Sequence, residues 1–222
     1  MKMTERENLP AKLASHELAF STANLGSLVG RGLAAVKNNK MLASTKSRGL
    51  NLRIWGAENL GDPLDQLLLA DDYRNGNGLD QDDKKSIYWY RKAAEQGDKH
   101  GQACLGIGYR DGRGIEQNDE QAVFWLRKAA EQGSEYGQVS LGCMYMNSQE
   151  AVRNEERAVY WFRQAAEQGD EEGQSNLAAM YEHGLGVGQN DEQAVYWYRK
   201  AAEQGNHQAQ EALRKLGIDW KK

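Results

Sequence analysis

The sequence is poor in cysteine and proline, and it has no long hydrophobic run. Only two of its 222 residues are cysteine and two are proline. Proline interrupts helices because it lacks a backbone N–H, so its scarcity agrees with a helical chain. No apolar stretch is long enough to cross a membrane, and the N-terminal stretch MKMTERENLPAKLASHEL lacks the unbroken apolar core of a signal peptide. We therefore expect a soluble helical protein located in the cytoplasm.

Motifs that carry chemistry are also missing. The four histidines are scattered, and neither HxxxH nor CxxC spacing occurs, so we expect no metal site. The serine-hydrolase patterns SxxK, KTG and GxSxG do not occur either. The stretch GLGVG at 184–188 is similar to a nucleotide-binding loop, but it does not follow the strand which that motif requires. These absences predict a protein that is not an enzyme and binds no cofactor.

Charge is distributed unevenly along the chain. The formal net charge is −4, with 27% of residues charged, whereas residues 1–55 are rich in lysine and arginine. No aromatic residues alternate with these basic ones in the manner typical of nucleic-acid binding, and a solvated arm is the simplest interpretation. The acidic remainder would repel a phosphate backbone, so we expect no nucleic-acid partner. The acid-poor stretch 17–53 leaves an organelle transit peptide as an alternative.

The most regular feature of the sequence is a tryptophan that recurs every 36 residues. Each copy begins a near-identical phrase, such as WYRKAAEQG or WFRQAAEQG, and no insertion breaks the spacing. A fixed period of this length indicates small units that cannot bury their apolar faces alone and therefore stack into an elongated solenoid. The four tryptophans are Trp89, Trp125, Trp161 and Trp197.

Two helices are predicted in each unit. Residues at i, i+3, i+4 and i+7 share one face of a helix, and an apolar pattern with this spacing occurs twice per unit. In the second unit it comprises Gln102, Leu105, Gly106 and Tyr109, and then Ala122, Trp125, Leu126 and Ala129. We expect these rows to form the core, with Trp125 almost entirely buried.

Polar residues and glycines mark the helix ends. Asn118 and Gln121 predict a capping box at the start of a second helix, and Gly133 predicts a left-handed C-terminal end. The residue after this glycine is expected to cap the next helix. That position holds Asp98, Ser134, Asp170 and Asn206. The two helices of a unit are joined by a Gly-x-Gly loop, whose glycines predict positive φ or close backbone approach.

The third unit departs from this loop pattern, because Ser148 and Glu150 replace its two glycines. Left-handed geometry is costly for serine and glutamate, so we expect an extra helical turn or a reshaped loop at 151–154. Either would place Met146 at the edge of the binding surface. The alternative is neutral change in an exposed loop.

These motifs together resemble the Sel-one-like repeat (SLR), a relative of the tetratricopeptide repeat. The resemblance is carried by units such as LGIGYRDGRGIEQNDEQAVFWLRKAAEQG at 105–133. It implies an all-α fold in which helix-turn-helix repeats stack into a right-handed superhelical solenoid. The resemblance also implies an adaptor, since members of the family mostly hold other proteins together and many are bacterial. It does not imply a catalytic residue.

The repeats divide the chain into four regions. We predict an N-terminal arm at 1–24, a degenerate capping repeat at 25–61, four SLR repeats at 62–205 and a C-terminal capping helix at 206–222. The four repeats span 62–97, 98–133, 134–169 and 170–205. An unrelated helix pair is the alternative for 25–61, because Arg53 stands where a tryptophan would be in register.

The two cysteines are predicted to be free thiols. Some secreted SLR proteins bridge each helix pair by a disulfide, which would require one pair per repeat. Here Cys104 and Cys143 fall on first helices of neighbouring repeats. Packed helices lie about 8 to 10 Å apart, which exceeds the limit of about 7 Å between the Cα atoms of a disulfide. Free thiols suit a reducing compartment.

The binding surface is predicted on the side of the first helices that faces away from their leucine and tyrosine packing face. In related superhelices this side lines a concave groove. We expect an apolar middle, a basic end and an acidic end, which suit an amphipathic peptide or another protein. The residues are Leu67, Asp71, Arg74, His100, Ala103, Ile107, Arg110, Tyr136, Val139, Cys143, Met146, Glu172, Ser175, Ala179 and Glu182.

The predicted function is therefore that of a non-enzymatic adaptor. One alternative is a bacterial immunity or regulatory protein that neutralises a single effector through the same groove. Another is an enzyme or enzyme accessory, which the missing catalytic motifs disfavour. A further alternative is that the groove residues vary freely, some of the apolar ones being lightly buried by their neighbours.

Overall fold

The computed structural model describes residues 46–147 and 154–220. Within these ranges the chain forms ten α-helices, one π-helical turn and no strand. All described residues belong to one structural unit. The helices are α1 (Lys46–Trp55), α2 (Pro63–Asn75), α3 (Asp83–Glu95), α4 (Lys99–Asp111), α5 (Asp119–Glu131), α6 (Glu135–Asn147), α7 (Glu155–Glu167), α8 (Glu171–His183), α9 (Asp191–Glu203) and α10 (His207–Lys215), and the π-helical turn Gly56–Leu60 follows α1.

Helices that are consecutive in the chain pack against each other from α2 to α10. The first helices of neighbouring units also touch, α4 against α6 and α6 against α8. The second helices α3, α5 and α7 make no comparable contact with one another in the described part of the chain. The first helices α4, α6 and α8 therefore lie closer together than the second helices do, and we call the side formed by the first helices the inner face of the stack. The predicted all-α fold of sequential helix pairs is confirmed.

The predicted N-caps are confirmed, but the capping box predicted at Asn118 is not completed, because the backbone N–H of Asn118 donates to the carbonyl of Tyr109 at 2.9 Å. The side chain of Asn118 accepts the backbone N–H of Gln121 at 2.9 Å, and the hydroxyl of Ser134 accepts that of Gly137 at 3.1 Å. Gly133 has a φ of +74°, so it ends α5 in the left-handed region. The same capping contacts are made by Asp98, Asp170 and Asn206 at the first helices of their units.

The Gly-x-Gly loop uses its two glycines for different purposes. Gly112 ends α4 with a φ of +65° and donates its N–H to the carbonyl of Gly108. Gly114 also has positive φ, and a Cβ on it would collide with the backbone of Asp83 in the preceding unit. The second glycine therefore permits close approach between units. The predictions for Ser148, Glu150 and 151–153 lie outside the described residues.

The core confirms the predicted rows of leucine and alanine, but the prediction for Trp125 is wrong. Trp125 is only partly buried, whereas the following residue, Leu126, is fully buried and packs against Gly106. Successive residues differ by about 100° around a helix, so only one of the two points at the first helix. The position after the tryptophan is buried in every unit, as Tyr90, Leu126, Phe162 and Tyr198.

The tryptophans instead cover the side of the second helices. Trp125 meets Phe124 edge to face, with 5.1 Å between ring centroids, and the ammonium group of Lys128 lies 5.2 Å from the Trp125 ring centroid. Equivalent edge-to-face pairs occur in the other three units. An aromatic pair of this kind, with a cation above it, shields the core without entering it.

A ladder of glutamines connects successive units. In the third unit, Gln138 donates from Nε2 to the carbonyl of Ala130 at 3.2 Å and accepts from Gln168 at 2.7 Å. It therefore joins the preceding second helix to its own second helix and satisfies a helix-terminal carbonyl inside the core. Equivalent ladder positions are Gln66, Gln102 and Gln174. The sequence signal is a glutamine at constant spacing. From the sequence alone, this glutamine is expected only to belong to one face of the first helix.

A second polar contact couples each unit to the next. The arginine two residues after the tryptophan donates to the hydroxyl of the tyrosine on the following first helix. Arg127 reaches Tyr145 at 2.9 Å, and Arg163 reaches Tyr181 at 2.9 Å. The arginine and the tyrosine, which are the two most regular polar residues of the repeat, thus hydrogen-bond to each other.

The ends of the array differ from its interior. At the N-terminal end, Arg53 in α1 makes two hydrogen bonds to the carboxylate of Asp72 in α2, at 3.1 and 2.7 Å. The residue that stands where a tryptophan would be in register thus forms a charged pair with the next helix. At the C-terminal end, Leu213 in α10 is fully buried against α9. Residues 1–45, which include the predicted arm and most of the predicted capping repeat, lie outside the described residues.

The cap of α8 makes stability depend on pH. Asp170 is 5% exposed, and burial, aided by the charges of Glu171 and Glu135, raises its pKa from 3.8 to about 6. An acid with a raised pKa binds its proton more tightly in the folded chain. Protonated Asp170 therefore stabilises the folded state. This stabilisation is fully present below pH 3.8 and is lost as the pH rises through about 6.

We therefore expect Asp170→Asn to raise the free energy of unfolding at pH 8 by about 1 to 3 kcal/mol. Asparagine keeps the capping oxygen, as Asn206 does for Ala209 at 2.9 Å, without a buried charge. Urea unfolding at a series of pH values should show the difference from wild type shrinking as the pH falls from 8 to 4. Asp98→Asn, at the more exposed equivalent cap, is the control. A difference that is independent of pH would contradict this assignment.

Candidate functional site

The predicted binding residues all lie on the first helices α2, α4, α6 and α8, but the structure divides them by accessibility. Six are buried: Asp71, Ala103, Ile107, Val139, Met146 and Ser175. Eight are partly buried: Leu67, Arg74, Arg110, Tyr136, Cys143, Glu172, Ala179 and Glu182. His100 is exposed. The apolar middle therefore contributes to packing, and the surface that a partner could reach is mainly polar.

A buried acid lies at the basic end of this inner face. Asp71 is 8% exposed and accepts a short hydrogen bond from the hydroxyl of Tyr90 in the second helix of its own unit. Burial raises the pKa of Asp71, while that hydrogen bond and the charges of Arg74 and His100 lower it. The sequence indicated Asp71 as a surface residue and gave no sign of the Tyr90 contact.

The two arginines of the inner face have different environments. Arg110 pairs with the neighbouring carboxylate of Asp111 through two hydrogen bonds, at 2.7 and 3.1 Å. Arg74 donates no hydrogen bond to any residue in the described part of the chain and interacts with Asp71 only through its charge. The charge of Arg110 is thus largely compensated within its own helix, whereas the donors of Arg74 remain available.

The charges of both arginines act on Tyr136. Its hydroxyl oxygen is buried and has no hydrogen-bond partner in the described residues. Burial raises the pKa of Tyr136, and the charges of Arg74 and Arg110 lower it. The hydroxyl is therefore uncharged at physiological pH.

The opposite end of the inner face carries Glu172 and Glu182. Glu182 accepts a hydrogen bond from Tyr198 at 2.7 Å, and this bond raises the pKa of Tyr198 in addition to the larger effect of burial. Glu172 lies near Cys143, since its charge acts on that thiol. The charge therefore changes sign along the inner face, from Arg74 to Glu182.

Both cysteines are free, which confirms the prediction that no disulfide joins them. Burial raises the pKa of Cys104 and of Cys143 to about 12. A thiol reacts as its thiolate, so these cysteines are poor nucleophiles at neutral pH. Both are partly buried residues of the first helices.

A row of exposed aromatic side chains on the second helices was not predicted. The residue before each tryptophan is 46 to 54% exposed, and its ring packs on that tryptophan. The row consists of Tyr88, Phe124, Tyr160 and Tyr196. Its sequence signal is the aromatic residue at the same spacing as the tryptophans. This row lies on the second helices and is therefore separate from the inner face.

The described ranges contain neither a metal-ligand cluster nor a membrane-spanning helix. Within 46–147 and 154–220, no group of three or more His, Cys, Asp or Glu side chains is arranged to hold a metal ion. None of the helices in those ranges has both the length and the apolar character needed to cross a membrane.

Stacked helix pairs of constant length, with repeated caps and repeated contacts between units, define a helical repeat protein. The Sel1 repeat model matches residues 63–98, 101–134, 136–170 and 171–206. Since these matches cover more than half of the chain, the protein belongs to the Sel1 repeat family.

Solved structures agree with this assignment. The chain is 37% identical to a protective antigen of uropathogenic Escherichia coli strains that displays an SLR fold, with a TM-score of 0.70 over 76% of this chain. It is 30% identical to a Sel1 repeat protein from Oxalobacter formigenes, with a TM-score of 0.65 over 75% of this chain. The chain spans only 37% and 48% of the lengths of those two proteins.

A more distant likeness extends the fold comparison. An immunity protein from Pseudomonas aeruginosa is 24% identical, with a TM-score of 0.52 over 81% of this chain and 66% of its own. At this identity the likeness concerns the fold alone. No curated protein matches the sequence.

Proposed function

We propose that the protein is a non-enzymatic scaffold that binds another protein or a peptide along the inner face of its first helices. The observation that carries this proposal is a difference between positions of the repeat. The packing position holds leucine in all four units, at Leu69, Leu105, Leu141 and Leu177. Inner-face positions change in chemistry from unit to unit, so the fold does not require any particular residue there.

The inner face offers chemistry suited to a directional ligand. One inner-face position is occupied in the four successive units by Leu64, His100, Tyr136 and Glu172. Its side chains pass from apolar to polar to acidic along the array, and a ligand with the complementary order of groups would bind in one direction only. Membership of the Sel1 repeat family supports a scaffold, since stacked repeats present extended surfaces.

The proposal needs no cofactor, metal, nucleic acid or membrane. We also propose a cytoplasmic location, which the two free thiols support because a reducing compartment keeps cysteines unpaired.

Affinity capture from the source cells tests the proposal. We expect the double variant His100→Ala, Glu172→Ala to weaken binding of the captured partner by at least about 2 kcal/mol, or roughly 30-fold in Kd. Neither residue belongs to the core, so the circular dichroism spectrum and melting temperature should remain those of wild type. Binding by surface plasmon resonance with the purified partner provides the measurement.

The matched control changes the opposite side of the array. Tyr88→Ala with Tyr160→Ala removes two side chains that are 51% and 54% exposed on the second helices. We expect this variant to bind normally. Loss of binding in the control, with normal binding by the inner-face variant, would move the site to the second helices. A single stoichiometric partner would favour a specific inhibitor, and several weaker partners would favour an adaptor.

A further inference from the structure

The row of exposed aromatic side chains on the second helices takes no part in the proposed function. Each ring packs edge to face on the tryptophan that follows it, with 4.8 to 5.1 Å between ring centroids. The tryptophan holds the ring in place, and the four residues still remain 46 to 54% exposed. Ordered aromatic side chains with this much exposed surface are typical anchors of protein–protein interfaces.

Charged side chains lie one helical turn before and after the ring in two of the second helices. In α5, Glu120 precedes Phe124 by four residues and Lys128 follows it by four. Residues at this spacing share one face of a helix. The helix α9 repeats the arrangement with Glu192, Tyr196 and Lys200, and all six residues are exposed. Each helix therefore presents a surface that is acidic at one end, aromatic in the middle and basic at the other end.

These charges are not paired with each other within a helix. Neither Glu120 nor Glu192 forms an ion pair with another residue of the described ranges. The ammonium group of Lys128 lies 4.7 Å from the Phe124 ring centroid, and that of Lys200 lies 4.9 Å from the Tyr196 ring centroid. Both ammonium groups thus lie beside the exposed rings, where a carboxylate from another chain can reach them.

This order of charges is complementary to itself when one helix is reversed. In a second copy of α5 that lies antiparallel to the first, Glu120 of each copy faces Lys128 of the other, and the two Phe124 rings meet in the middle. The helix α9 gives the same match with its own copy. A two-fold symmetric dimer requires a self-complementary surface of this kind.

The other two second helices define how far the contact extends. In α7, Glu156 and Gln164 flank the ring, so reversal brings an acid beside an amide without repulsion. In α3, Lys84 and Lys92 flank the ring, so reversal would bring like charges together, which is unfavourable. The self-complementary surface therefore comprises α5, α7 and α9 and excludes α3.

We propose that the protein forms a two-fold dimer through the exposed sides of α5, α7 and α9, each helix lying antiparallel to its copy in the second chain. The aromatic rings form the centre of this interface and the glutamate–lysine pairs form its rim. The inner face takes no part in the contact, so the dimer does not depend on the proposed function. A dimer presents two inner faces, and a ligand with two binding sites is held more tightly by it than by one chain.

Sedimentation equilibrium of the full-length protein measures the dimer directly. We expect a reversible monomer–dimer equilibrium with a Kd on the order of 10 to 100 μM, because a few exposed rings and rim pairs make a small interface. The double variant Phe124→Ser, Tyr196→Ser should raise this Kd at least about tenfold. Tyr88→Ser is the matched control, since its ring lies on α3 outside the contact, and it should leave the Kd unchanged.

Charge reversal tests the antiparallel match without removing the rings. The variant Glu120→Lys, Glu192→Lys places lysine at both ends of each surface and should be monomeric, as should Lys128→Glu, Lys200→Glu. An equimolar mixture of these two variants should form a heterodimer, because each lysine then faces a glutamate. Adding Phe124→Ser to one of them should weaken the heterodimer, whereas attraction by net charge alone would persist. Circular dichroism checks that each variant is folded.

Four results would overturn the dimer. These are a wild-type protein that stays monomeric up to about 500 μM, an unchanged Kd in Phe124→Ser, Tyr196→Ser, a charge-reversal variant that dimerises alone, and a mixture that does not associate. A monomeric protein that loses its captured partner in Phe124→Ser, Tyr196→Ser would assign the aromatic row to a different protein. The partner-capture test relies on His100 and Glu172, so a failed dimer and a failed scaffold give separate results.

Discussion

Replacing Phe162 with alanine is expected to lower the free energy of unfolding by about 3 to 5 kcal/mol. Phe162 in α7 is 0% exposed, and its ring lies where a side chain on Gly142 of α6 would otherwise be. The substitution removes buried apolar surface and leaves a cavity between the two helices of the third unit. Urea denaturation followed by circular dichroism measures the change. A domain stability of about 5 to 15 kcal/mol makes this loss a large fraction of the total.

Tyr160→Ala provides the control for this prediction. Tyr160 is an aromatic residue of the same helix, two positions earlier, but it is 54% exposed. We expect its replacement to cost about 1 kcal/mol or less, because most of its surface is in water already. Equal costs for Phe162 and Tyr160 would show that burial does not alternate along α7 in the way the structure describes.

Gly173→Val is expected to destabilise the protein by about 2 to 3 kcal/mol, because it forces a side chain between two packed helices. A Cβ on Gly173 of α8 would lie 2.6 Å from the Cβ of Ala165 and 2.9 Å from the backbone nitrogen of Ala166 in α7. Backbone atoms cannot move aside as a side-chain end can, so the helices must separate. Thermal unfolding should show a melting temperature lower by several degrees.

Gly188→Val tests whether the loss comes from this close approach. Gly188 lies in the loop before α9, and a Cβ there would have no atom within 4 Å. We expect a change of about 0.5 kcal/mol or less at this position. A Gly173→Val variant as stable as wild type would mean that α7 and α8 do not pack as closely as the structure shows. Close contacts of the same kind occur at Gly101 and Gly137 in the other units.

The two faces of the array differ in how regular they are. The second helices repeat their exposed features almost unchanged, with an aromatic residue, a tryptophan and an arginine in each unit. The inner face changes from basic at Arg74 to acidic at Glu182, and packing buries six of its predicted positions. A surface that differs from unit to unit can distinguish one ligand from another, which is why we assign binding to the inner face.

The sequence by itself determined the helix pairs, their ends and their order. Caps and positive-φ glycines are local features, and residues within a few positions of each other decide them. Asn118, Ser134 and Gly133 could therefore be assigned from the sequence, and their contacts are confirmed. The buried leucine row followed from periodicity, because apolar residues on one face of a helix must be covered.

Only the tertiary structure decided which side chains lie inside. Trp125 and Leu126 both belong to the apolar pattern, and the angle at which α5 crosses α4 places Leu126 in the core and Trp125 at its edge. The same packing covers Ile107 and leaves the hydroxyl of Tyr136 buried without a partner. Periodicity specifies the face of a helix. Which residue of the next helix meets that face depends on crossing angle and stagger, which arise from contacts between residues distant in sequence.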